Sequence, residues 1–333
     1  MHIFVAGGAG FIGANFIDLA ISRGHQILAY DLLTYAGNRR NLEDLPLEQC
    51  QFVQGDICDG VIVSALLARG MGGVHFDAVV NFAAESHVDR SIVSTLPFVR
   101  SNVLGAVELI EASRNAGVPT FVQISTDEVY GSAAPDESFT TMTRLNPSSG
   151  YSASKAAADH LVMSYHITHG YDVRITRCTN NYGRFQYPEK LIPTIITRAL
   201  AGESIPVFGD GGQVRDWLFV DDHCEGILAV VERGVAGETY HFGSANPDTM
   251  NLQLVQHILK LLACKTGTNL EDYLALIRHV DDRPGGDRRY ALDWSITKQE
   301  LGWEPKTTLM NGLERTVEWY LENRNWWGDF PQN

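Results

Sequence analysis

The sequence predicts a doubly wound α/β fold: a parallel sheet covered by helices on both faces, with a smaller mixed α/β lobe toward the C-terminus. Three observations carry this. Short apolar runs alternate with helical patterns through the first half of the 333-residue chain. Those runs are almost continuously apolar, as strands buried on both faces are. A glycine-rich turn joins the first run to the first helical pattern.

The elements are taken in chain order. HIFVA (2–6) reads as a strand, and FIGANFIDLAISRG (11–24) as a helix stopped at Gly24. QILAYD (26–31) and QFVQGD (51–56) are strands, and VIVSALLAR (61–69) is helical. FDAVVNFAA (76–84) is a strand, FVRSNVLGAVELIEASRNAG (98–117) one long helix, and TFVQIST (120–126) a strand. After YDVRITRC (171–178) the alternation weakens, Pro and Gly become commoner, and the chain closes on the Trp-rich TVEWYLENRNWW. This second part is expected to lie over the carboxyl ends of the strands, where open α/β sheets bind ligands.

Composition excludes several classes. A net charge of −14 argues against a general nucleic-acid surface, while leaving room for a local basic cluster that grips a phosphorylated small molecule. No apolar run approaches a membrane span. MHIFVAGGAG lacks a basic leader and a long apolar region, which predicts no signal peptide. The five cysteines (Cys50, Cys58, Cys178, Cys224 and Cys264) are scattered and odd in number. They suggest neither a disulfide framework nor a metal site, and a reducing cytoplasm is the expectation.

In VAGGAGFIG, Gly8, Gly10 and Gly13 fit G-x-G-x-x-G, and Gly7, Gly10 and Gly13 fit the looser G-x-x-G-x-x-G. Glycines there let the backbone approach a pyrophosphate seated on the helix N-terminus. An acid stands at the next strand end, Asp31, as the dinucleotide fingerprint of a Rossmann fold requires. A carboxylate accepts bonds from a ribose 2′-hydroxyl and repels a 2′-phosphate, so NAD is expected rather than NADP. Arg39 and Arg40 would argue the other way but lie well past the strand end. Asp56 is either a contact to adenine or a helix cap.

YSASK places Tyr151 and Lys155 four residues apart on a predicted helix, hence on one face. A lysine ammonium beside a phenol is expected to lower its pKa and make Tyr151 a usable base. The stretch ISTDEVYG puts Thr126, Asp127 and Glu128 side by side where a buried strand leaves the sheet.

GGAGFIG, STDEVYG and YSASK resemble the extended short-chain dehydrogenase/reductase superfamily. Within it, DLLTYAGN, FAAESHVDRSI, NNYGRFQYPEKLIP, RDWLFVDDH, GETYHFG and DRPGGDRRYALD resemble the nucleoside-diphosphate-hexose 4,6-dehydratases, in that family's order and over nearly the whole chain. The resemblance implies a closed redox cycle. Tyr151, supported by Lys155 and with Thr126 on the sugar O4, takes the 4-hydroxyl proton while C4 passes its hydride to NAD. Glu128 then removes the C5 proton, Asp127 protonates the departing O6, the hydride returns to C6 and C5 is reprotonated.

The resemblance also implies the binding residues. For NAD these are Gly7, Gly10, Phe11, Ile12, Gly13, Asp31, Asp56, Ile57, Ala83, Tyr151, Lys155 and Asn102, the last supporting Lys155. For the nucleotide sugar they are Ser86, Asn180, Glu189, Lys190, Leu191, Arg215, Asn251 and Arg283, with no metal. Residues 1–178 are then expected to be the NAD-binding domain, rejoined by segments at about 207–243, and 179–333 mainly the sugar-nucleotide lobe. The expected substrate is a dTDP-hexose such as dTDP-glucose. Gly286, where the family commonly has His, leaves UDP-hexoses open, and Gly150, where Pro is usual, is expected to loosen the loop before Tyr151. A 4-epimerase would share Tyr151 and Lys155 but would not need Asp127 and Glu128, and a non-catalytic NAD-binding protein would need neither set. Helices around 95–116 and 150–168 are apolar on more than one face, which, as in relatives, predicts a homodimer through a four-helix interface.

Overall fold

The structure, a computed structural model, describes residues 1–246, 248–281, 288–328 and 330. Its strands are β1 (His2–Ala6), β2 (Gln26–Asp31), β3 (Cys50–Gln54), β4 (Ala78–Asn81), β5 (Thr120–Thr126), β6 (Asp172–Cys178), β7 (Asn180–Tyr182), β8 (Ile205–Phe208), β9 (Val214–Arg215), β10 (Trp217–Phe219), β11 (Thr239–Phe242), β12 (Thr249–Met250) and β13 (Ile277–Val280). Its helices are α1 (Phe11–Ser22), α2 (Gly60–Arg69), α3 (Val88–Val93), α4 (Leu96–Phe98), α5 (Gly105–Asn115), α6 (Gly150–His169), α7 (Leu191–Ala201), α8 (Val220–Arg233), α9 (Asn251–Thr266), α10 (Leu270–Leu274), α11 (Ser295–Leu301), α12 (Leu309–Glu322) and α13 (Arg324–Trp327).

A seven-stranded sheet runs in the order β11-β6-β5-β4-β1-β2-β3, parallel throughout. The unbroken apolar character of the strands has a direct cause. Along β1, Ile3 and Val5 enter the core beneath α1 and α8, while Phe4 and Ala6 enter the core beneath α2, α5 and α6. All four are fully buried. Full burial of each large apolar side chain contributes about 1.5–3 kcal/mol. Strand order reverses between β1 and β4, and a crevice opens at the carboxyl ends beside that switch point.

Polar side chains turn the chain off the sheet at this edge. Asp31 at the end of β2 accepts from the Leu33 N–H (2.8 Å), and Asn81 at the end of β4 from Ala83 (3.1 Å). Thr126 at the end of β5 accepts from Glu128 (3.3 Å), and Asp56, beyond β3, from Cys58 (2.9 Å). These i to i+2 bonds are Asx and Ser/Thr turns. They explain why the strands expected at 51–56 and 76–84 stop at Gln54 and Asn81.

The long helix expected over 98–117 is instead three pieces: α4, a wide π-helical segment at Val99–Leu104, and α5. The wide turn buries Asn102, and Gly105 lies so near Ile57 that a Cβ there would meet its Cδ1 at 2.6 Å. A second core gathers Ile192, Ile195 and Ile196 of α7 with β8, β10, α9, α12 and Trp326. Between the two cores, β7 continues directly from β6 and pairs with β10.

Candidate active site

Two cavities meet over the carboxyl edge of the sheet. The inner one, about 460 Å³, is lined by Gly7, Gly10, Phe11, Ile12, Gly13, Asp31, Asp56, Ile57, Ala83, Ser86, Thr126, Asp127, Tyr151 and Lys155, among others. The outer one, about 490 Å³, is lined by Leu191, Arg215, Asn251, Phe208, Trp327 and Phe330, among others. Glu128, Asn180, Asn181, Gln186, Tyr187, Glu189 and Lys190 line both and mark the junction.

The inner cavity fits a dinucleotide because its floor is backbone. A Cβ on Gly13 would lie 2.2 Å from the Gly7 carbonyl, and one on Gly7, whose φ is +75°, would lie 2.5 Å from the Ala83 nitrogen. Only glycine allows the turn to close this tightly beneath the N-terminus of α1. Asp31 accepts from the Ala9 N–H (2.9 Å), which ties it to the glycine turn. Burial pushes its carboxyl above the usual range, opposed by its bonds to backbone N–H groups. Arg39 lies over the Phe52 ring and Arg40 bonds the Asn325 carbonyl; neither lines the cavity. The helix cap expected as one role for Asp56 belongs to Asp59, which accepts from Ile62 (3.1 Å). Asp56 itself lines the cavity and faces Arg100 at 3.4 Å.

The residues singled out for chemistry converge at the inner wall. Thr126 ends β5 and caps a 3₁₀ turn, Asp127–Tyr130. Its hydroxyl donates to Asp127 Oδ1 (3.2 Å). Asp127 is 2% exposed, and its Oδ2 has no hydrogen-bond partner among the described residues. Burial, reinforced by the neighbouring Glu128, raises the Asp127 carboxyl well above its usual range. Adjacent residues leave the turn differently: Asp127 is buried, while Glu128 is only half-buried and reaches both cavities.

Two expectations are corrected here. The Tyr151 phenol is raised, not lowered: burial dominates, the Glu128 charge adds to it, and a bond to Thr126 only partly opposes them. Lys155 is itself buried and donates to the Ile124 carbonyl (2.6 Å), and burial pulls its ammonium down. Nor does Asn102 touch the lysine or line the cavity. Its amide spans the Glu85 main chain (2.8 and 3.0 Å) and the Ser154 hydroxyl (2.9 Å).

The loop before Tyr151 is not loosened by Gly150. Ser149 and Ser152 form a reciprocal capping box at the start of α6. A Cβ on Gly150 would lie 2.8 Å from Thr95 Oγ1, so glycine permits close packing there.

On the outer side, Asn180 and Asn251 each carry a buried Oδ1 without a partner among the described residues, as polar groups awaiting a ligand do. Lys190 donates to the Ser86 carbonyl (3.0 Å), and Arg215 stacks over the Tyr290 ring at 4.7 Å. Glu189 lines both cavities, and its carboxylate has neighbours within the protein. Tyr35 donates to it (3.0 Å), and His87 and Arg90 face its other oxygen, each at 3.6 Å. Arg283 and Gly286 lie outside the described residues.

A model of the GDP-mannose 4,6-dehydratase family matches residues 4–316. The chain belongs to this family. Among its relatives is a dTDP-glucose 4,6-dehydratase of Xanthomonas campestris pv. campestris (strain B100), 49% identical over 97% of this chain and 93% of that protein. The solved structure of DesIV, a dTDP-glucose 4,6-dehydratase from Streptomyces venezuelae with NAD bound, matches with a TM-score of 0.91 at 43% identity, covering 99% of this chain and all of that one (100%). A dTDP-glucose 4,6-dehydratase from Bacillus anthracis str. Ames, in complex with NAD, matches with a TM-score of 0.88 at 42% identity, covering 99% and 100% of the two chains.

In this 4,6-dehydratase family member, sequence reasoning missed several wall residues. Asn181, next to Asn180, lines both cavities and is held by His223 (2.9 Å). The doublet NN was the only signal. Arg100 reaches the inner cavity from the π-helical segment, which no pattern announces. Trp327 and Phe330 of the Trp-rich end wall the outer cavity, where Phe330 packs on Tyr187 with ring centroids 4.9 Å apart.

Proposed function

We infer that this protein is an NAD-dependent NDP-hexose 4,6-dehydratase acting on dTDP-glucose and forming dTDP-4-keto-6-deoxyglucose. One observation carries the reading. A buried carboxyl with an unpartnered oxygen, Asp127, stands beside a second carboxylate, Glu128, on the wall that also presents Tyr151. An enzyme that only oxidises or inverts C4 has no use for that pair.

NAD, when bound in the glycine-floored cavity, accepts the C4 hydride and gives it back at C6. The residues of the chain supply everything else. Thr126 holds the sugar O4 and Tyr151 takes its proton. With C4 a ketone, the C5 proton becomes acidic, and Glu128 removes it. Asp127 gives its proton to O6 as the C5–C6 double bond forms, and water leaves; when the hydride returns to C6, C5 takes a proton back from Glu128. Burial holds the resting proton on Asp127, so acid and base coexist at one pH, as tuned carboxyl pairs do. Asn180, Lys190, Arg215 and Asn251 are assigned to the nucleotide end, where guanidinium and amide groups suit phosphate and sugar oxygens.

The division at about residue 178 is retained as the boundary between the NAD domain and the sugar-nucleotide lobe, with the segments at about 207–243 assigned back to the NAD domain. In support, β11 is an edge strand of the large sheet and α8 packs against α1. A homodimer is proposed because Val99, Leu104, Leu161 and Ile167 leave an exposed apolar face on the π-helical segment and α6. A cytoplasmic location is proposed from the five free cysteines.

The test offers dTDP-glucose, UDP-glucose and dTDP-N-acetylglucosamine separately in heavy water and tracks each by mass spectrometry. Loss of one water with deuterium gained at C5, from dTDP-glucose first, is expected. Inversion at C4 without loss of water from any of them would overturn the dehydratase reading.

A further inference from the structure

Behind the reactive wall lies a buried polar chain that reaches the inner cavity only at Ser125. Asp159, one turn after Lys155 on α6, is 1% exposed. Its Oδ2 accepts from Ser125 Oγ (3.0 Å) and Arg177 Nε (2.9 Å), while its Oδ1 is buried with no hydrogen-bond partner among the described residues. Arg177 Nη1 donates to the Tyr130 hydroxyl (2.5 Å), which in turn meets His241 Nε2 (2.7 Å). The other ring nitrogen of His241 faces the Asp293 carbonyl at 3.0 Å.

A carbonyl only accepts, so His241 Nδ1 carries the proton and Nε2 accepts from Tyr130. Every proton in the chain is thereby fixed: Arg177 donates to Tyr130, Tyr130 to His241, and His241 to the Asp293 main chain. The neutral imidazole agrees with burial, which pulls its pKa down to about 4.

Of two buried cations, Arg177 is ion-paired with Asp159, and Lys155 stands one helical turn from the same carboxylate, whose Oδ1 has no hydrogen-bond partner among the described residues. The groups facing Lys155 are the Ile124 carbonyl from β5, the Cys178 thiol from β6, and Asp159 from its own helix. Only Asp159 among these is a carboxylate. Residues four apart share a helix face, and an opposite charge in a dry interior favours the charged form.

We propose that Asp159 is a positioning residue that supplies the counter-charge keeping Lys155 an ammonium beside Tyr151, and that anchors the Thr126–Glu128 turn from behind through Arg177 and Tyr130. The proposal rests on the reading of Tyr151 as the base of a sugar-nucleotide oxidation. It adds a residue that touches neither substrate nor cofactor.

The test is the titration of Lys155 in protein labelled with [ε-¹³C]lysine, the signal assigned with Lys155→Arg. In Asp159→Asn the midpoint is expected to fall by about one pH unit or more, and Asp159→Glu should restore most of it. The kcat–pH profile should move toward acid in Asp159→Asn, with KM for dTDP-glucose within about twofold, since a remote charge acts on the base and not on binding. An unmoved Lys155 midpoint, or a lowered kcat with the profile in place, would overturn the proposal. Should Asp159→Asn not fold, Asp159→Asn/Arg177→Gln removes both charges of the pair and avoids a lone buried cation. Its Lys155 midpoint is expected to fall less, and no fall sinks the idea. The titration needs no turnover. A chain that dehydrates no sugar nucleotide yet shows the shift would refute the proposed activity and leave Asp159's role standing.

Discussion

The two cavities are built by opposite means. The inner one is shaped largely by side chains that are missing: Gly7, Gly10 and Gly13 bring bare backbone to the crevice, and neighbouring strand ends complete it. The outer one is shaped by side chains that are present, brought together from distant segments such as Asn180, Lys190, Arg215, Asn251 and Phe330. A backbone-built surface tolerates almost no added atom. A side-chain-built surface loses one contact at a time.

The sharpest way to break that contrast is Gly13→Ala. Its new methyl would lie 2.2 Å from the Gly7 carbonyl oxygen and 3.1 Å from the Gly8 Cα, both backbone atoms. NAD retention through purification should be lost, with affinity down more than about a hundredfold. Normal NAD binding, by calorimetry, would contradict the tight backbone floor.

Asp127→Asn comes next. As a general acid, Asp127 should account for about 10²–10⁴-fold of the elimination rate, while C4 oxidation survives and reduced cofactor accumulates, visible by absorbance. An unchanged elimination rate removes Asp127 from its role.

The same variant should be more stable than the unmodified protein at about pH 8. The sign comes from burial, which raises the folded-state pKa of Asp127 above its unfolded value. Its protonated form therefore stabilises the fold fully below the unfolded pKa, and that stabilisation is lost as pH rises through the folded one. Asn mimics the protonated form throughout. The Tm difference between variant and parent should thus shrink toward zero at about pH 4. A difference independent of pH would show that ionisation of Asp127 carries no such penalty.

The smallest effect is expected in the outer cavity. Asn251→Ala removes one polar contact and should raise KM about tenfold with kcat nearly unchanged. A collapse of kcat instead would mean that the outer wall is as intolerant as the inner floor.

The same contrast explains what could be read from the chain. The inner cavity comes from strand, turn and helix in immediate succession, so VAGGAGFIG with Asp31 specified it locally. Tyr151 and Lys155 were visible as a spacing, yet their electrostatics were not. Spacing says that two groups share a face, and says nothing of the burial that raises one and lowers the other. The break in the long helix was equally silent, because one wide turn leaves the apolar periodicity nearly intact. YPEKLIP placed Glu189 at the nucleotide end, but it does not show Tyr35, His87 and Arg90 gathered around that carboxylate. Residues such as Phe330 were invisible because nothing near them in sequence points to a wall far from them along the chain.

The turn-forming residues at the carboxyl edge make the sheet a ruler. Strand length counts out where Asp31, Asn81 and Thr126 fall, and each both bends the chain and sets the next residues against the crevice. A single residue inserted into β5 would carry Thr126 about 3.3 Å along the strand and turn it to the opposite face. The hydrophobic core could absorb such a slip more readily than the chemistry could. The spelling of these strands is free to drift, but their length is part of the catalyst.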